Sequence, residues 1–186
     1  MGILIKQFFM RFLITISLIF VFNFNINAQR NNKNPNIESY IEQYKDIAVK
    51  EMLTHGIPAS ITLAQGILES SYGSSYLAQN SKNHFGIKCK TEWTGLRFYK
   101  IDEEGKSCYR KYTSVFESYE DHSLFLKSKP WYKPLFKLEV TDYKAWAYGL
   151  KKAGYATNPN YPSMLISIIK RYELHKYDNV EYISEL

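Results

Sequence analysis

The sequence predicts a mostly helical α+β domain. Three observations carry that prediction. Apolar residues recur at helical spacing in five segments, one stretch between two cysteines is rich in strand formers, and no internal repeat or low-complexity linker interrupts them. At 186 residues the chain is long enough for one domain with a real core.

The N-terminus stands apart from that fold. Lys6 and Arg11 give a basic start, an apolar run extends from Phe12 to Phe22, and "NINA" ends on the small residue Ala28. This is the anatomy of a secretory signal peptide covering residues 1–28. The run is short of the roughly 20 residues that span a bilayer. No cysteine follows to carry a lipid, so no stable membrane anchor is expected after cleavage.

A short linker, 29–35, leads to the first helical pattern. "NIESYIEQYKDIAVKEMLTHG" places Ile37, Tyr40, Ile41, Tyr44, Ile47 and Ala48 on one face and stops at Gly56. In "IPASITLAQGILES" Pro58 stands near a helix start, and Ile61, Leu63, Ala64, Ile67 and Leu68 cover nearly every side, which marks a central, buried helix. Cys89 and Cys108 follow, bracketing "KTEWTGLRFYKIDEEGKS". Leu96, Phe98 and Tyr99 supply strand formers and "DEEGK" a turn, so the stretch reads as a small hairpin. An even cysteine count in an exported chain reads as one disulfide; two separate buried thiols are the alternative. Three more helices are expected: "SYEDHSLFLKS" with Ser118 and Asp121 as caps, "TDYKAWAYGLKKAG" from a Thr141 cap to Gly154, and "YPSMLISIIKRYEL" opened by Pro162. The tail from Tyr177 carries no signal.

Charge narrows the partners. Lys6 and Arg11 are the charged residues of 1–28, so without that segment the formal charge falls from +6 to +4. The remaining Lys and Arg are scattered, whereas nucleic-acid binders concentrate them on one face or arm. Mild positive charge suits an anionic extracellular polymer. Sixteen tyrosines suit sugar faces, although most such rings serve packing. The four histidines show no metal-ligand spacing, so neither a metal nor another cofactor is expected.

Glu69 ends the apolar helix, four residues after Gln65 and on the same face. The helix dipole and desolvation by Ile67 and Leu68 both disfavour its anion there, which raises the carboxyl pKa toward what a general acid needs. Glycosidic cleavage most often asks for such an acid, together with a second carboxylate or a substrate group. A glutamate turned out to solvent at a frayed helix end fits the same pattern.

Three segments, "AQGILESSYGSSYLAQNSKNHFGIK", "RKYTSVFESYEDHSLFL" and "GYATNPNYPSMLISII", together resemble the glucosaminidase domains of glycoside hydrolase family 73. The resemblance runs from about Ile37 to Leu174, with the motifs in the family's order. It implies a lysozyme-like α+β fold, a domain at 36–175 with a tail at 176–186, and an enzyme that hydrolyses GlcNAc-β-1,4-MurNAc bonds in peptidoglycan. By that resemblance Glu69 is the catalytic acid. A second acidic residue falls in the β-lobe, where "KIDEEGK" offers Asp102, Glu103 and Glu104, with Glu103 favoured and Asp102 next; the substrate's own 2-acetamido group is the alternative nucleophile. Tyr155 is expected to position the acetamido group or stabilise developing charge. Gln65, Ser70, Tyr72, Phe85, Thr157, Asn158 and Tyr161 are expected around the substrate, with Asn158 standing where the family reads Asp. Phe85 and Gly86 of "NHFGIK" should shape the cleft floor, His84 reads as a packed residue, and Trp131 as a core or rim contact. A monomer that is secreted to the periplasm or cell envelope follows from the same reading. The rivals are a lytic transglycosylase, whose G-L-M-Q segment is here replaced by "HFGIK", and a catalytically silent wall-binding module.

Overall fold

The computed structural model describes residues 33–102 and 105–179. The expected signal peptide therefore lies outside the described residues. Six α-helices and one antiparallel hairpin make up the described chain: α1 (Pro35–His55), α2 (Ala59–Ser70), α3 (Tyr76–Ser81), β1 (Arg97–Asp102), β2 (Gly105–Arg110), α4 (Val115–Ser128), α5 (Tyr143–Lys152) and α6 (Tyr161–Arg171). Two 3-10 segments, Pro130–Lys137 and Leu174–Asp178, complete it. The mostly helical α+β class is the one the periodicity predicts. Among the described residues no helix is long and apolar enough to cross a membrane.

Helix α2 is the centre of the molecule. Ala59, Ile61, Leu63 and Ala64 are wholly buried, and α1, α5, α6 and the last 3-10 segment pack around it. Close approach depends on Gly66. A Cβ there would lie 2.5 Å from the Tyr40 hydroxyl and 3.0 Å from that of Tyr119, so only glycine lets these two rings reach the helix. The two hydroxyls meet at 2.9 Å, and the Tyr40 hydroxyl also lies 2.9 Å from Nδ1 of His84. His84 is thus a packed residue, as its sequence context suggested; burial lowers its pKa to about 4.

Several caps differ from the sequence reading. Helix α4 begins earlier because Ser114 Oγ accepts from Glu117 N at 3.2 Å, while Glu117 reaches back to Thr113 N at 2.9 Å, a reciprocal cap. Ser118 and Asp121 consequently fall inside the helix and do other work. Ser118 Oγ accepts from His84 N at 3.0 Å, and Asp121 takes two bonds from Arg110 Nη1 at 2.8 and 2.9 Å and one from Tyr112 at 2.6 Å. The cap of α5 is Asp142, whose Oδ1 accepts from Ala145 N at 3.0 Å, rather than Thr141. Pro162 sits in the first turn of α6 as expected.

The chain end packs against the helical body. Leu174, Tyr177 and Asp178 are buried, so the packed body runs past residue 175. Asp178 accepts from Ser60 N at 2.8 Å and Ser60 Oγ at 2.6 Å. It satisfies donors at the start of α2 that Pro58 leaves without a side-chain cap.

In the β-lobe the hairpin pairs Arg97 with Arg110 through Asp102 with Gly105. Residues 103 and 104 lie outside the described residues. Cys89 and Cys108 are disulfide-bonded with their Cα atoms 5.3 Å apart, and Cys89 N donates to Cys108 O at 2.8 Å. The bond ties the segment after the "NHFGIK" turn to β2.

Candidate active site

A cleft of about 1200 Å³ lies between the helical body and the β-lobe. Leu68 and Glu69 from α2, and the stretch from Ala153 to Met164, form one wall; Lys88, Lys100 and Tyr109 form the other. Glu69 stands in the last turn of α2 with its side chain open to this cleft. The enclosing walls still exclude enough water to raise its carboxyl above the ordinary value. Tyr161 opposes that shift by donating to Oε1 at 2.9 Å, but burial is the larger effect.

Gln65 lies one turn below. Its Nε2 donates to the Tyr161 hydroxyl at 3.1 Å, so that hydroxyl accepts one hydrogen bond from Gln65 and donates another to Glu69. Gln65 is 0% exposed and cannot touch a substrate; it acts through Tyr161. Tyr155 stacks on the Tyr161 ring, centroids 5.7 Å apart and planes at 27°, and lines the cleft beside it. Buried next to Tyr161 and Glu69, its phenol is pushed well above its ordinary pKa and stays protonated as a donor.

The turn that carries Tyr155 is held from below. Lys151 Nζ donates to Ala156 O at 3.0 Å and Thr157 O at 2.7 Å. Asn158 Oδ1 accepts from Asn160 N at 2.9 Å, a local turn bond in which an amide serves as well as a carboxylate. Thr157 and Asn158 both face the cleft. Phe85 lies beneath it, stacked at 4.0 Å on His122, and Gly86 takes a φ of 65° in the turn, as the floor reading requires. Trp131 is half-exposed at the rim.

Ser70 and Tyr72 stand elsewhere. Ser70 is fully buried; it donates to Gly66 O and accepts from Gly73 N at 2.7 Å. Ser71, Tyr72 and Gly73 all have positive φ, of 50°, 47° and 80°, so the chain turns sharply after α2. Tyr72 is carried to a separate polar depression beside Tyr44. The expectation that these residues surround the substrate gives way to one in which Ser70 holds the turn beside Glu69.

In the β-lobe Asp102 accepts from Tyr109 at 2.7 Å and lies 3.0 Å from Lys88 Nζ. Its carboxylate is therefore engaged with two residues of the cleft wall. Glu103 lies outside the described residues. Sequence reasoning missed Asn83, which is buried. Its Nδ2 donates to Ile87 O and Arg110 O, both at 2.9 Å, and its Oδ1 accepts from Ile87 N at 3.1 Å. A buried amide joining two segments 27 residues apart has no local signature. It also missed Glu92, Lys88, Lys90, Lys100 and Lys129, which line the same cleft. Among the described residues no group of three or more His, Cys, Asp or Glu could hold a metal ion.

The family described as "Glucosaminidase: Mannosyl-glycoprotein endo-beta-N-acetylglucosaminidase" matches residues 45–174, most of the chain. The chain belongs to this family. The chain is 39% identical over 135 residues to the exo-glucosaminidase LytG of Bacillus subtilis, covering 68% of this chain and 48% of that protein. It is 28% identical to the glycoside hydrolase domain of FlgJ from Salmonella typhimurium, with a TM-score of 0.63 over 80% of this chain and 93% of that one. A Staphylococcus aureus structure described as an N-acetylmuramoyl-L-alanine amidase gives 33% identity and a TM-score of 0.68, covering 79% of this chain and 44% of that one. The chain spans about half or less of the length of the curated relatives it first matches. Its fold is the lysozyme-like one of these neighbours.

Proposed function

We propose that this protein is an exported endo-β-N-acetylglucosaminidase that hydrolyses GlcNAc-β-1,4-MurNAc bonds in peptidoglycan, with Glu69 as general acid. The observation that carries the reading is a carboxyl raised by burial, open to a long cleft and fixed through one oxygen by Tyr161. With Oε1 engaged, Oε2 carries the proton to the glycosidic oxygen. The C–O bond then breaks and positive charge develops at C1 of GlcNAc.

Glu103 or the substrate's 2-acetamido group completes the reaction. Asp102, engaged by Tyr109 and Lys88, supports the wall rather than attacking. Tyr155 offers a permanently protonated hydroxyl for the acetamido oxygen. Water finally occupies C1, so the new end is a reducing GlcNAc. The relatives named as peptidoglycan hydrolases support the substrate class. Residues 1–28 support export to the periplasm or cell envelope, where the protein acts as a monomer.

Mass spectrometry of sacculi digested by the mature protein tests this. Fragments whose GlcNAc ends are reduced by borohydride are expected. Anhydro-MurNAc ends would transfer the protein to the lytic transglycosylases, and uncut glycan strands would make it a silent binding module.

A further inference from the structure

The two walls of the cleft differ in charge. From Ala153 to Met164 the lining side chains are neutral, and Tyr155 and Tyr161 present rings and hydroxyls. Among the described residues the facing wall and rim carry Lys88, Lys90, Lys100 and Lys129, against one carboxylate, Glu92. Lys129 is matched to Glu92 at 3.3 Å and Lys88 to Asp102 at 3.0 Å. Lys90 and Lys100 have no acidic partner among the described residues.

The hairpin register gathers this charge. Lys100 pairs across the sheet with Ser107, and Ser107 Oγ accepts from Lys88 Nζ at 3.1 Å, so both ammonium-bearing chains converge on one face of the lobe. Lys90 follows directly after the disulfide at Cys89, which holds that segment against β2. Two cations with no acidic partner among the described residues, beside a cleft, attract an anion that a neutral sugar does not supply.

Resting on the glucosaminidase reading above, we infer that Lys90 and Lys100 form an anionic subsite. It takes a carboxylate borne by the MurNAc residue, while the tyrosine wall takes the uncharged GlcNAc. The subsite orients the strand across Glu69 and makes the enzyme prefer carboxylate-bearing glycan over a neutral one. The carboxylate has two sources, the lactyl group itself and the stem peptide attached to it.

The test is binding by calorimetry to the full mature chain carrying Glu69→Gln, which separates affinity from turnover. The probes are GlcNAc–MurNAc tetrasaccharides with stem peptides, the same sugars with peptides removed and lactyl carboxylates free, and the methyl esters of each. The free acids should bind about fivefold or more tightly than their esters at low salt, as expected for two partly exposed charge contacts. The preference should shrink as ionic strength rises. Adding Lys90→Gln and Lys100→Gln should remove it. A larger acid–ester gap for the peptide-free sugar assigns the lactyl group, and a larger gap for the peptide-bearing one assigns the stem. Equal affinity for acids and esters overturns the inference, as does a preference that survives both glutamines. Digestion of sacculi by the wild type is read separately, so the hydrolytic reading can stand when the subsite falls.

Discussion

Replacing Tyr161 by Phe removes one hydroxyl that serves two masters. Gln65 Nε2, wholly buried, loses its acceptor at 3.1 Å, and Glu69 Oε1 loses its donor at 2.9 Å. The ring itself stays, so its stacking on Tyr155 is kept. Leaving a buried amide donor without a partner costs about 1–3 kcal/mol, which lowers Tm by roughly 2–12 °C in a domain of this size. The effect on the acid has a definite sign. Tyr161 favours the ionised carboxylate and so holds the Glu69 pKa down against burial. Without it the pKa rises further, and Glu69 stays protonated to higher pH. A general acid loses activity as pH climbs through its pKa, so the alkaline limb of kcat/KM should move up while the maximal rate falls through lost orientation. Initial rates on solubilised peptidoglycan across pH, with a thermal melt of each protein, read both effects. An alkaline limb that stays put or moves down would refute the linkage of Gln65, Tyr161 and Glu69.

Glu69→Gln should keep the fold and lose at least about a hundredfold in rate, the lower end of general acid catalysis; turbidity assays on walls giving near-wild-type clearance would remove Glu69 from the mechanism. Reducing Cys89–Cys108 should release the lysine wall before the helices melt. The chain-entropy model gives such a loop about 3 kcal/mol of stabilisation, so activity should fall at reductant concentrations where circular dichroism is unchanged. Parallel loss of both signals would deny the lobe its independence. Asp178→Ala should cost about 1–2 kcal/mol, the worth of a helix cap, because Ser60 N and Oγ lose their acceptor. An unchanged melting temperature would show that the chain end adds nothing to α2.

Much of this protein was legible before any coordinates. The apolar spacing that predicted five helices produced five of the six observed, because burying a helical face imposes a short repeat that a sequence must display. The sixth, α3, spans only Tyr76–Ser81, too few residues for a repeat to show. The hairpin likewise announced itself through strand formers between two cysteines. Glu69 stood out because a charge closing an apolar run is rare for a physical reason: desolvation penalises it.

Caps were less legible, since Ser114 and Ser118, or Thr141 and Asp142, offer the same local chemistry one or a few residues apart. The folded chain chooses the one whose neighbours are not needed elsewhere. Asp121 was unavailable as a cap because Arg110 and Tyr112 already claim it.

The site's wiring belongs to the tertiary structure alone. Tyr161 meets Glu69 across 92 residues and Asp178 meets Ser60 across 118. The sequence could place Gln65 on the same helical face as Glu69, but could not tell that one turn of helix separates a buried residue from an open one. Local sequence fixes which way the backbone coils, through bonds between residues a few positions apart. Which side chains then touch depends on how helices pack, a property of all the buried surfaces together. That is why Glu69 could be singled out from the chain, while its tyrosine partner and the charged wall opposite it had to wait for the fold.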